Sequence, residues 1–143
     1  MFEFNLDNYT VFTEIDDDKS LCTFNGVKLV DDIIKVHNEL YPNATLLTQI
    51  KKYEEEYAEL VASVDTGDVV KEFADLFIVS CGIRRFSEAV GKDLGAGILK
   101  SITDNEDKLI LMEAVCRKMN ENQKRVWKET KDGYYKHEVS TLN

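Results

Sequence analysis

The chain has 143 residues, 43% of them hydrophobic, which suits one domain with a real core (residues 1–143). Its 27 acidic against 18 basic residues leave a formal net charge of −9. That balance argues against nucleic-acid binding, which needs a basic footprint, and against docking on anionic membranes.

The three cysteines, Cys22, Cys81 and Cys116, are odd in number, widely spaced and without a C-x-x-C pair. A reducing, cytoplasmic setting is expected, with Cys81 and Cys116 packed in the core. The opening MFEFNLDNYT lacks the basic and apolar regions of a signal peptide, and no apolar run approaches ~20 residues. Pro42 is the single proline, and glycines number only seven, so long helices are favoured over many short strands.

In chain order, residues 1–25 predict an irregular N-terminal arm. Phe2, Phe4, Tyr9, Val11 and Phe12 favour extended structure, but their alternation is imperfect and Asp16, Asp17 and Asp18 interrupt it. Asn25-Gly26 is a turn signal. Val27 to Leu40 predicts the first helix, with Val27, Val30, Ile33, Ile34, His37 and Leu40 on its apolar stripe. Tyr41-Pro42-Asn43 ends it, because a residue before proline avoids helical angles. The second helix is expected from Ala44 to Val64, capped by Asn43 or Thr45, with Leu46, Ile50, Tyr53, Tyr57, Leu60 and Val64 inward.

Asp65-Thr66-Gly67-Asp68 then predicts a turn and a new cap. The third helix, about Asp68 to Val90, is apolar on two faces, one through Phe73, Phe77 and Cys81 and one through Leu76, Val79 and Ile83. Such a helix is buried. Gly91 to Gly97 predicts a connection with a short helical piece. The fourth helix spans Asn105 to Lys128, with Leu109, Met112, Cys116 and Met119 inward. In the tail, residues 129–143, Asp132-Gly133 predicts a turn followed by an extended segment. The fold expected is all-α, an antiparallel four-helix core with arm and tail.

The chemistry concentrates in Glu-Glu-Tyr-Ala-Glu at 55–59 and Glu-Phe-Ala-Asp at 72–75. Glu56 and Glu59 share one side of their helix, as do Glu72 and Asp75. In an antiparallel hairpin, Glu59 faces Glu72 and Glu56 faces Asp75, because both pairs share a midpoint between Asp65 and Thr66, where the turn signal falls. Glu59 and Glu72 each lie ~10 Å from that turn. Acidic residues three apart are usually solvated. Glu72 and Asp75, however, share a face with Leu76, Val79 and Ile83, where charges need compensation. Hard divalent cations with oxygen ligands supply it, Mg²⁺ first and Mn²⁺ second. Zinc wants His or Cys, and helical di-iron sites want Glu-x-x-His, and neither accompanies these carboxylates. Glu55 reads as surface or outer support, and Lys51 and Lys52 as surface.

On the fourth helix Lys118, Asn122 and Arg125 fall on one stripe with Leu111 and Val115. Two cations and an amide suit phosphate oxygens, although basic residues near a helix C-terminus also serve its dipole.

The stretch from Gln49 to Asp75, with Glu-Glu-x-x-Glu and then Glu-x-x-Asp, resembles the MazG-type all-α nucleoside triphosphate pyrophosphohydrolases. Lys118-x-x-x-Asn122-x-x-Arg125-x-Trp127 resembles their later helix. The resemblance covers roughly residues 27–128 and leaves arm and tail outside. It implies a helical core that forms a homodimer or homotetramer. It implies Mg²⁺ held by Glu56, Glu59, Glu72 and Asp75, and hydrolysis of a nucleoside triphosphate between its α- and β-phosphates, giving monophosphate and pyrophosphate. Glu59 is then a candidate base, with Lys118 and Arg125 on the phosphates. Aromatic residues near the cleft are candidates to stack on the base, Trp127 being more often core or rim. A phosphoribosyl-ATP pyrophosphohydrolase, a non-catalytic helical oligomer that binds metal or nucleotide, and a purely structural bundle remain alternatives.

Overall fold

The computed structural model describes residues 1–16, 19–87, 94–102 and 104–138. Within them the chain is mostly helical, with two small antiparallel hairpins. Among the described residues five α-helices occur: α1 (Gly26–Leu40), α2 (Leu46–Ser63), α3 (Val69–Phe86), α4 (Leu94–Ser101) and α5 (Asn105–Lys124). Strands β1 (Thr10–Asp16) and β2 (Lys19–Phe24) form one hairpin, and β3 (Trp127–Lys131) and β4 (Tyr134–His137) the other. None of the described helices is long and apolar enough to cross a membrane.

The helix boundaries have local causes. Asn25 accepts a hydrogen bond from Lys28 N at the start of α1, and Tyr41, held before Pro42, ends it. Thr45 opens α2 in a reciprocal cap with Thr48. Gly67 turns the chain between α2 and α3 with φ 86°, a left-handed value that glycine takes without strain. Asp68 stands at the cap of α3 but makes no capping bond with its side chain. The predicted extension of α3 over 88–90 lies outside the described residues. Of the connection expected over Gly91–Gly97, residues 91–93 lie outside the described residues, and the short helical piece expected there is α4, which starts at Leu94 and runs on to Ser101.

Helix α3 is central and packs against each of the other four helices. Its stretch from Leu76 to Ile83 is buried throughout, as its two apolar faces predict. Leu29, Val30 and Ile33 of α1, Leu99 of α4, and Met112, Val115, Cys116 and Met119 of α5 complete the core. Cys81 and Cys116 are buried free thiols within it, and burial raises both.

Three expectations are corrected. The N-terminal arm is ordered structure on its own chain. Phe4 and Tyr9 enter the core, and the Phe4 backbone exchanges two hydrogen bonds with the Asn120 amide (2.8 and 2.9 Å). Residues 10–16 and 19–24 pair as antiparallel strands, since Thr, Val and Phe suit a half-exposed ribbon once Tyr9 anchors its base. Helix α5 stops at Lys124, four residues early, because Trp127 pairs with His137 and donates its Nε1 to Asn122 O at 2.8 Å.

The third correction concerns α2. Its apolar stripe points only partly inward: Leu46, Ile50, Tyr53 and Leu60 are half-buried, but Tyr57 is 54% and Val64 67% exposed, whereas Gln49 and Ser63 are buried. The helix packs chiefly on α3 and turns its polar side, Gln49, Lys52, Glu56 and Glu59, toward a cleft.

Candidate functional site

The cleft, about 450 Å³, lies between the α2–α3 pair, the later half of α5 and the β3–β4 hairpin. The hairpin forms its outer wall. Asp132 and Gly133 both have positive φ (47° and 86°), the turn that best fits a two-residue hairpin. A Cβ at Gly133 would lie 1.9 Å from Asn43 O, so only glycine allows this close seating on the α1–α2 connection. Glu129 accepts from Asn43 Nδ2 at 3.0 Å, and Lys52 Nζ donates to Tyr135 O at 3.3 Å, clipping the wall in place.

At one end of the cleft, carboxylate oxygens of Glu56, Glu59 and Glu72 lie within 4.8 Å of one another. The shared hairpin midpoint predicts four converging carboxylates, and three of the four are grouped here. Glu56 and Glu72 each keep one buried oxygen, Oε2, without a hydrogen-bond partner. Asp75 sits beside them but is tied to Lys118, Oδ1 to Nζ 3.3 Å, with both side chains largely buried. Glu72 does not line the cleft itself, whereas Glu56, Glu59 and Asp75 do.

The electrostatics follow from that crowding. Burial, then the charges of Asp75 and Glu59, push the Glu56 carboxyl up to about 8. Glu72 is raised for the same reasons, burial first. Burial also raises Asp75, against the opposing pull of Lys118. Negative charge here is therefore costly without a cation. The donors are all carboxylate oxygens, which fits a hard divalent ion and not zinc.

Of the three residues assigned to phosphate, Lys118 and Asn122 face the carboxylates across the cleft and Arg125 stands at its rim. Arg125, just past the end of α5, also lies 3.8 Å from Glu121 of that helix. Asn122 is buried and its Oδ1 has no partner. As placed, that acceptor suits a ligand O–H or N–H; contact with phosphate requires the amide turned over.

The opposite end is aromatic and polar. Tyr41, Trp127, Tyr135 and His137 gather there, with Tyr41 edge-on to Trp127 at 4.9 Å and tilted on Tyr135 at 5.3 Å. Behind them His37 Nε2 lies 3.0 Å from Gln49 Oε1, and Arg85 Nη1 lies 3.1 Å from His37 Nδ1.

Several of these groups escaped the sequence reading. Lys52, read as surface, lines the cleft, as does Glu55, which accepts a hydrogen bond from the Tyr134 hydroxyl. That bond, after burial, raises Tyr134 well above the usual phenol range. Gln49 and Lys52 had a signal: Gln49, Lys52, Glu56, Glu59 and Ser63 step by 3, 4, 3 and 4, a polar stripe as regular as the apolar one. The tail residues had none, since nothing local says where a hairpin docks. No family model, no curated protein and no solved structure matches the chain.

Proposed function

We propose that the chain is a divalent-metal-dependent pyrophosphohydrolase of ribo- or deoxyribonucleoside triphosphates, of MazG type, releasing monophosphate and pyrophosphate. The observation that carries this reading is the pair of buried, unpartnered oxygens on Glu56 and Glu72, set beside Glu59. A buried anion without a partner costs several kcal/mol, so such a pair marks a place where a cation belongs.

Glu56, Glu59 and Glu72 would hold Mg²⁺ or Mn²⁺, with Asp75 joining as Lys118 moves to phosphate. Bound there, such an ion would neutralise phosphate charge and acidify a water. Glu59, the exposed member of the three, is assigned to take the proton of the attacking water. Lys118 and Arg125 hold phosphate oxygens at the cleft wall. The chain's net charge of −9 makes these local cations necessary for an anionic substrate.

The finer architecture belongs to the same proposal: α1, α2, α3 and α5 as a four-helix core that works as an oligomer. Its support is the outward apolar face of α2 and the start of α3, where Leu47, Tyr57, Val61, Val64 and Val70 are all exposed.

Product analysis tests the reaction. Purified protein is incubated with a panel of ribo- and deoxyribonucleoside triphosphates, with Mg²⁺ or with chelator. Monophosphate plus pyrophosphate, formed with metal only, is the expected result. Diphosphate plus phosphate means a different bond and a different enzyme. No turnover across the panel shifts the reading to phosphoribosyl-ATP or to a binding role.

A further inference from the structure

The His37 end of the cleft contains a hydrogen-bond relay whose polarity is set by chemistry alone. Arg85 has N–H donors and no acceptor. Its Nη1, 3.1 Å from His37 Nδ1, therefore requires a bare, accepting Nδ1. A neutral ring then carries its proton on Nε2. That N–H donates to Gln49 at 3.0 Å, so the facing amide atom must be the oxygen. Gln49 is left presenting its NH₂ group.

The rest of the site supports a neutral, fixed ring. Burial, then the charge of Arg85, holds His37 down to about 4. Arg85 is itself anchored by donating to Tyr41 O at 2.8 Å. On α3, Gly82 leaves the room: a Cβ there would lie 2.4 Å from Gln49 Oε1 and 2.7 Å from His37 Nε2. Gln49 is 8% exposed and lines the cleft. Its amide nitrogen has no hydrogen bond among the described residues, which leaves that donor free at the cleft wall.

The distance along the scaffold suits a nucleotide. Gln49 and Gly82 share the hairpin midpoint of Glu56 and Asp75 and lie two helical turns further on, about 10 Å. A phosphate at the carboxylates thus leaves its base near Gln49, among Tyr41, Trp127 and Tyr135.

We propose that Arg85 is a positioning residue which, through His37, locks the Gln49 amide as a donor toward a carbonyl on the nucleobase. The proposal rests on the nucleotide reading above. It gives the enzyme a preference for oxo bases over their amino counterparts.

The test compares kcat/KM for uridine with cytidine triphosphate, and for inosine with adenosine triphosphate. The oxo member of each pair is expected to lead by about tenfold, the scale of one well-made hydrogen bond. Arg85→Met frees the ring and the amide and should bring the ratios to within about twofold, while Arg85→Lys, still an obligate donor, keeps them. Gln49→Glu removes the donors and should reverse the preference. Wild-type preference for amino bases, or ratios unchanged in Arg85→Met, overturns the proposal. Nitrogen NMR of the wild-type His37 ring should show protonation at Nε2; protonation at Nδ1 overturns it as well. Calorimetry with uridine and cytidine monophosphates and Mg²⁺ separates this proposal from the reaction. Tighter uridine binding without any turnover keeps the relay and discards the hydrolase, while binding of neither discards the relay.

Discussion

At the His37 end of the cleft the buried polar groups answer one another: both ring nitrogens are bonded, and Arg85 and Gln49 are held through them. At the carboxylate end, two helical turns away on the same pair of helices, Glu56 and Glu72 each bury an oxygen that nothing answers. Once the chain folds, the first arrangement leaves only the Gln49 NH₂ group open. The second is complete only when a cation arrives. Folding alone rewards satisfied groups, so a region left unsatisfied on a rigid scaffold is where function is to be sought.

The largest expected effect breaks the carboxylate end chemically. Glu59→Gln or Asp75→Asn should lower turnover by more than the roughly 10–100-fold typical of outer metal partners, with the far-UV circular dichroism unchanged. Near-normal activity in both variants would sink the site assignment.

Next in size, the two ends should respond oppositely to removal of a polar group. His37→Ala takes away a buried ring and leaves Gln49 and Arg85 without their partner, so a loss of about 2–4 kcal/mol is expected in urea unfolding. Glu56→Gln, measured on metal-free protein at pH 8, should lose nothing and gain if anything. The pH dependence sharpens the contrast. Glu56, raised from 4.5 to about 8, binds more protons folded than unfolded in that window, so stability falls as pH rises through it. His37, lowered from 6.5 to about 4, loses stability as pH falls between those values. Above 6.5 only the carboxylate end remains. A melting temperature that drops from pH 6.5 to 8, and does so less in Glu56→Gln or with Mg²⁺, is the expected result; a flat profile contradicts the crowded geometry.

The smallest effect concerns the wall between the ends. Tyr134→Phe deletes the hydrogen bond to Glu55 and should cost about 1 kcal/mol, read in the same unfolding assay. A neutral result would mean that Gly133, the Asn43 contacts and the Lys52 bond to Tyr135 O suffice to seat the hairpin.

Much of this was legible in one dimension. Helix existence followed from apolar periodicity, and their ends from Asn25, Pro42, Thr45 and Gly67, since caps and turns depend on a few neighbouring residues. Convergence of Glu56, Glu59 and Glu72 followed from helical geometry and the position of one turn. What local pattern does not carry is which face of a helix meets protein. The apolar stripe of α2 pointed one way and its polar stripe another, and only packing on α3 and β3–β4 decided that the polar one lines the cleft while Tyr57 and Val64 of the apolar one stay outside. Likewise, Arg85 and Gln49 are 36 residues apart, and His37 joins them from a third helix. Tertiary structure alone made a relay of them, because a hydrogen-bond chain across three helices depends on distances that no spacing along the sequence encodes.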